Sequence, residues 1–201
     1  LGVAVIVGGS VGAALAPAVV QAQAVLIDEG EFRQFSGDAE IGTETFTIHR
    51  IGLGADVEFL ATGSVRIDGL EMRPALKTAA DQLPDSYQNT LSGSQQLQLS
   101  IVRSGPRYES RTTSAAGETQ REYRAGAGTA LLEARVAHQF YFVARGLTDP
   151  GTRRLVIRPV DARQSMLEFT GRSRESVRLG REVIPATRHD FTLDGVPWRL
   201  W

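Results

Sequence analysis

The chain has 201 residues, a formal net charge of −1 and no cysteine. That length supports one domain with a sizeable core. The near-neutral balance argues against a nucleic-acid partner, because binding phosphates requires a surplus of Arg and Lys, and the missing cysteine excludes a disulfide framework, a thiolate metal site and a Cys nucleophile.

Leu1 to Val20 is apolar, rich in small residues and free of charge. Pro17 interrupts it, and Ala22-Gln23-Ala24 follows as an A-x-A cleavage pattern. The combination reads as a secretory signal peptide over residues 1–24. Cleavage is expected between Ala24 and Val25. An initiator Met and a basic leader are lacking, so the sequence is read as starting inside the signal. An uncut membrane anchor is the alternative, since about 20 apolar residues suffice to span a bilayer. No Cys follows for lipid attachment. The reading is therefore an exported, periplasmic or secreted bacterial protein with no stable membrane span after cleavage.

Val25 to Phe35 is expected to be a first strand, closed by the Ser36-Gly37-Asp38 turn. Glu40 to Ile67 is the clearest stretch. Phe46 and Ile48 point one way, and Thr45, Thr47 and His49 the other. After Ile51-Gly52-Leu53-Gly54, the residues Val57, Phe59, Ala61, Val65 and Ile67 share a face. Period-two alternation on both sides of a glycine turn predicts an antiparallel hairpin. Asp68-Gly69 is a tight turn. Leu70 to Asp85 holds two prolines and reads as a loop with a short helical turn at Ala75–Ala80. Gln95 to Arg103 alternates again, with Leu97, Leu99 and Ile101 inward.

Arg107–Thr113 and Glu118–Arg124 form a hairpin whose large apolar residues are only Tyr108 and Tyr123. Strands this polar project beyond a core or line an edge. Leu132, Val136, Phe140 and Val143 recur at helical spacing, which predicts one principal amphipathic helix over Ala130–Ala144. The run Phe140-Tyr141-Phe142 also fits a strand. Gly146 would follow the helix, and Thr148-Asp149-Pro150-Gly151 would stop it. Strands resume at Arg153–Val160, Ser165–Thr170, Glu175–Leu179 and Arg188–Leu193, with breaks at Gly171 and Gly180. Pro197 to Trp201 reads as a strand without a stop signal, so the domain is expected to continue past the last residue. The expected fold is mainly β: a single domain over residues 25–201, with a strongly curved antiparallel sheet, a half-barrel, and one principal helix.

The order of features resembles a set of uncharacterised exported bacterial proteins, domains of unknown function. The resemblance rests on the strand Ile41-Gly42-Thr43-Glu44-Thr45-Phe46-Thr47-Ile48, the kinked Val183-Ile184-Pro185-Ala186-Thr187-Arg188, and the terminal Trp198-Arg199-Leu200-Trp201. It implies a curled sheet similar in outline to the periplasmic lipoprotein carriers, and it implies no activity.

Residues with catalytic potential do not cluster. His49, His138 and His189 lie on separate elements without metal-ligand spacing, so neither a metal nor another cofactor is expected. Glu58, Glu109, Glu118 and Glu122 read as a solvated strand face; a glycosidase needs a defined acid pair. Gly126-x-Gly128 lacks the flanking residues of a phosphate loop and reads as a flexible connection. The candidate ligand-binding residues are instead apolar: Phe46, Ile48, Val57, Phe59, Leu97, Leu99 and Ile101 on the concave sheet face, with Phe140 from the helix. They predict a non-enzymatic protein that shelters an apolar or lipid-like ligand. The same residues would also make an ordinary filled core, and then the competing reading is an envelope adaptor that binds a protein partner through exposed strand edges. A hydrolase assembled from distant strands is a third class.

Overall fold

The computed structural model describes residues 24–201. The expected signal segment therefore lies outside the described residues up to Gln23. Val25, the first residue after the expected cut, opens β1 and pairs with Arg50.

β1 (Val25–Ser36) and β2 (Ala39–Ile51) form a long antiparallel hairpin, and β3 (Glu58–Ile67) pairs with the other side of β2. The alternation read along Glu40–Ile67 is the alternation of burial: Phe46, Ile48, Phe59, Ala61, Val65 and Ile67 face inward. A 3-10 turn at Gly54–Asp56 closes the hairpin.

The expected loop at Leu70–Asp85 is instead mostly strand. β4 (Leu70–Met72) and β5 (Ala75–Thr78) both pair with β3, and β5 replaces the helical turn expected at Ala75–Ala80. Pro74 has no N–H to donate, so one strand is split into two pieces too short to show a period. Its carbonyl still accepts the Gly63 N–H at 2.9 Å. β6 (Pro84–Gly93), β7 (Leu97–Ser104), β8 (Arg107–Ser114) and β9 (Gly117–Arg124) complete a nine-stranded sheet. The polar pair β8–β9 does line an edge: β9 is the last strand, and Tyr123 is its buried anchor. The sheet is curved and does not close, so β1 remains the opposite edge.

A second, five-stranded sheet follows: β10 (Ala130–Leu131), β11 (Arg153–Arg158), β12 (Arg163–Leu179), β13 (Glu182–Leu193) and β14 (Val196–Leu200). β10 pairs with β11 in parallel, and the remaining pairs are antiparallel. The break expected at Gly171 is a bulge inside one long strand.

The principal helix needs a larger correction. It is not Ala130–Ala144 but α1, Phe140–Arg145, six residues long. Ala130–Leu131 is strand, and residues 132–139 are an irregular connection. Arg135 has φ +69°, a left-handed conformation that no α-helix contains. The periodic residues Leu132, Val136 and Val143 are buried nonetheless, so the spacing reported burial and not helix. Side chains satisfy the backbone here in place of helical bonds. The Glu133 N–H donates to Gln139 Oε1 at 2.5 Å, and the Ala137 and His138 N–H groups donate to Glu44.

The main core lies between the layers. Inward residues of β2, β3, β6 and β7 meet Leu131, Phe142 and Ile157 from the opposite side. A second cluster joins Val156, Leu167, Phe169 and Phe191 of the smaller sheet to Leu132, Val143 and Leu147. The fold is thus a single mainly β domain with one small helix.

Candidate functional site

The structure brings together all the expected inner-face residues except Phe140. Phe46, Ile48, Phe59, Leu99 and Ile101 are buried in one cluster, with Val57 and Leu97 half-buried against it. Leu131, Phe142 and Ile157 occupy the space opposite them. Phe59 and Phe142 meet edge to face at 6.4 Å. The inner face is thus covered by the protein's own side chains.

Phe140 belongs elsewhere. It packs against Phe191 and Trp198, with ring centroids 6.3 and 5.9 Å away. With Phe35, Leu132, Val136, Leu193 and Trp198 it lines an open cleft of about 400 Å³. The cleft runs between the end of edge strand β1 and edge strand β14, and residues 132–137 form its floor. Gln34 Nε2 donates to the Arg135 carbonyl at 2.8 Å, tying β1 to that floor. Phe35 is 56% exposed and Trp198 43% exposed, so the rim presents large aromatic surfaces to water.

Buried carboxylates hold the floor in place. Glu44 Oε2 accepts the Ala137 N–H at 2.5 Å; Oε1 accepts the His138 N–H at 3.0 Å and faces His138 Nδ1 at 2.5 Å. Both side chains are fully buried. The His138 ring stacks on Phe46 at 6.0 Å and lies over Gly63, where a Cβ would come within 3.0 Å of Cε1. Glu133 accepts the Ala134 N–H at 2.9 Å and the Val160 N–H at 3.0 Å. Burial pushes its carboxyl up to about 7, against the opposing pull of those two N–H groups. Burial pushes Tyr87 well above the ordinary tyrosine range, with Gln139 and Asn89 beside its hydroxyl pulling the other way; His138 Nε2 is buried without a hydrogen-bond partner among the described residues. Closed to solvent, Glu44 and His138 anchor the connection and do not line the cleft.

The remaining titratable candidates stay apart. Among the described residues no group of three His, Asp or Glu side chains converges as metal ligands. Glu58 pairs with Lys77 at 2.8 Å, Glu118 with Arg111 at 3.5 Å, and Glu122 with Arg107. These are exposed or half-exposed pairs of the kind that contribute little.

Glu44 and Glu133 were missed by the sequence reading. For Glu44 a signal existed: it shares the parity of Phe46 and Ile48, so a carboxylate occupies an inward position of a strand. A buried charge demands partners. For Trp198 and Phe35 only the register across separate strands could have revealed the cleft.

No helix among the described residues is long and apolar enough to cross a membrane. No family model matches the chain, and neither a curated protein nor a solved structure matches it.

Proposed function

We propose that the protein is an exported, non-enzymatic component of a bacterial envelope that holds an apolar, lipid-like chain in the cleft between β1 and β14. The observation that carries this reading is the cleft itself: about 400 Å³, with Phe35, Phe140 and Trp198 around apolar walls. That volume falls within the usual range of small-molecule sites, roughly 300–1,000 Å³. Each methylene transferred from water into such a place contributes about 0.8 kcal/mol. The filled inner face moves the ligand from the sheet to the cleft, and Phe140 is the residue common to both assignments. Export rests on the uncharged Leu1–Val20 run and the Ala22-Gln23-Ala24 pattern. The resemblance to exported proteins with a carrier-like sheet points the same way.

Native mass spectrometry of protein taken from cells, followed by organic extraction, is expected to release a bound lipid. Trp198 and Trp201 are the only tryptophans, so Trp201→Phe leaves Trp198 as the fluorescent reporter. Dodecanol should shift its emission to the blue and saturate, and Phe140→Ala should weaken that binding several-fold. A bare mass, an empty extract and an unresponsive Trp198 together would sink the proposal.

One feature favours the adaptor reading as the second. β1 is a 12-residue edge strand, and Val25, Leu26, Ile27, Phe32 and Phe35 on it are exposed. An extended partner segment could pair with it by strand addition. Slowed hydrogen exchange at the β1 amides in the presence of envelope extract, with no lipid in the cleft, would favour that role.

A further inference from the structure

The other side of the 130–146 connection borders a second cleft, of about 300 Å³, between β5, the Asp81–Pro84 turn, Gly128–Leu131 and the end of α1. Arg154 and Arg145 both line it. Arg154 makes no ion pair and no side-chain hydrogen bond among the described residues, although it is only partly exposed. Burial also holds its pKa below the ordinary arginine value. An uncompensated guanidinium drawn out of water is costly unless something pairs with it.

Its seat is shaped by missing side chains. A Cβ at Gly146 would come within 1.9 Å of Arg154 Nη1, and one at Gly128 within 2.9 Å of its Cζ. Glycine at both positions lets the planar group lie directly against backbone. Arg145 sits above the Phe59 and Tyr141 rings at 5.7 and 5.4 Å and donates to the Tyr141 hydroxyl at 2.9 Å, with no carboxylate partner among the described residues. Thr78, fully buried, backs the same cleft. The one acid in the lining, Asp81, accepts the Leu83 N–H at 3.0 Å within its own turn. Leu76, Leu83, Leu131 and Phe142 form an apolar wall.

We infer that this cleft is a binding site for a small organic oxyanion, a carboxylate or phosphate monoester with a short apolar end, held by Arg154 with Arg145 beside it. A guanidinium fork matches two oxygens of such a group, and charge-assisted bonds of this kind are the strong ones. The apolar wall takes the apolar end. Gly128 thus has a use that its sequence context did not show: it makes room for an arginine, and no phosphate loop is involved.

The test is isothermal titration of the full chain with hexanoate and with phenyl phosphate at constant ionic strength. Saturable binding of at least one probe is expected. Arg154→Gln should weaken it tenfold or more, while Arg153→Gln, which removes the neighbouring partner of Glu168, should leave it unchanged. Should Arg154→Gln fail to fold, the wild-type guanidinium Nε–H resonances still decide: one or two should shift saturably with the probe. No saturable heat from either probe, equal binding by Arg154→Gln, or small uniform shifts across all arginines would overturn the assignment.

Discussion

Replacing Glu44 with Ala should destabilise the fold as much as truncating a buried apolar side chain of β2. Its carboxylate accepts the Ala137 and His138 N–H groups at 2.5 and 3.0 Å and meets His138 Nδ1 at 2.5 Å; the two contacts to His138 are out of solvent and the one to Ala137 is partly so. Truncation leaves the two buried His138 donors without an acceptor, and each such group costs about 1–3 kcal/mol. Together they make a loss of about 4 kcal/mol, a large part of the roughly 5–15 kcal/mol typical of a domain. Glu44→Gln keeps one acceptor oxygen but sets an amide N–H₂ against an N–H donor, so a loss of about 1–3 kcal/mol is expected. Urea unfolding followed by far-ultraviolet circular dichroism measures both, through midpoints at constant slope. A double-mutant cycle of Glu44→Gln with His138→Ala should show coupling above about 1 kcal/mol. If Glu44→Ala unfolds within about 1 kcal/mol of the wild type, the carboxylate does not anchor the connection and this reasoning fails.

Glu133 sets a pH dependence of opposite sign to the common one. Its carboxyl titrates near 7 in the folded protein against about 4.5 when unfolded, so the fold favours the protonated form, and stability from this group falls as pH rises from 4.5 to 7 and then levels off. Glu133→Gln should flatten that slope in urea midpoints measured from pH 4.5 to 8; parallel curves for the two proteins would refute it. Phe59→Ala, at a site 8% exposed and in contact with Phe142, should cost about 3–5 kcal/mol, and a loss below about 1 kcal/mol would contradict its place in the core. Gly63→Ala would place a Cβ 3.0 Å from His138 Cε1 and 3.3 Å from the Thr45 carbonyl, so it should destabilise by about 1–3 kcal/mol, whereas an unchanged midpoint would show that the ring can move aside.

Much of the nine-stranded sheet was legible because its strands have one buried face. In β2, β3 and β7 inward and outward residues alternate, so period two reads directly as sheet. β5 was not legible: Leu76 and Thr78 alternate correctly, but four residues after a proline are too few to set a period. The second sheet was legible strand by strand but not as a separate sheet, since pairing between distant segments leaves no local mark. The candidate cleft was legible only at Phe140. Phe35 and Trp198 come from opposite ends of the described chain, and topology alone brings both to the same cleft.

The residues that misled the helical reading are also those on which both clefts depend. Between Leu131 and Gly146 the chain turns successive large side chains to different layers. Leu131 and Phe142 go to the main core, while Leu132 and Phe140 go to the second cluster. A 15-residue helix would have put its apolar residues on one stripe and served a single core. An irregular connection can serve two, provided that its exposed backbone groups find acceptors inside the protein. Glu44, Glu133 and Gln139 supply those acceptors, to Ala137 and His138, to Ala134 and to Glu133 in turn. The same path sets Phe140 at the apolar cleft, and Phe142 and Arg145 at the cleft of Arg154. Loosening the Glu44 anchor should therefore disturb binding at the apolar cleft even where the fold survives, because residues 132–137 are its floor. Glu44→Gln, chosen for its smaller cost, is the variant in which that coupling is open to measurement: dodecanol affinity should fall in the Trp201→Phe background while the circular dichroism spectrum stays that of the wild type. Unchanged affinity would separate the anchor from the cleft and confine Glu44 to stability.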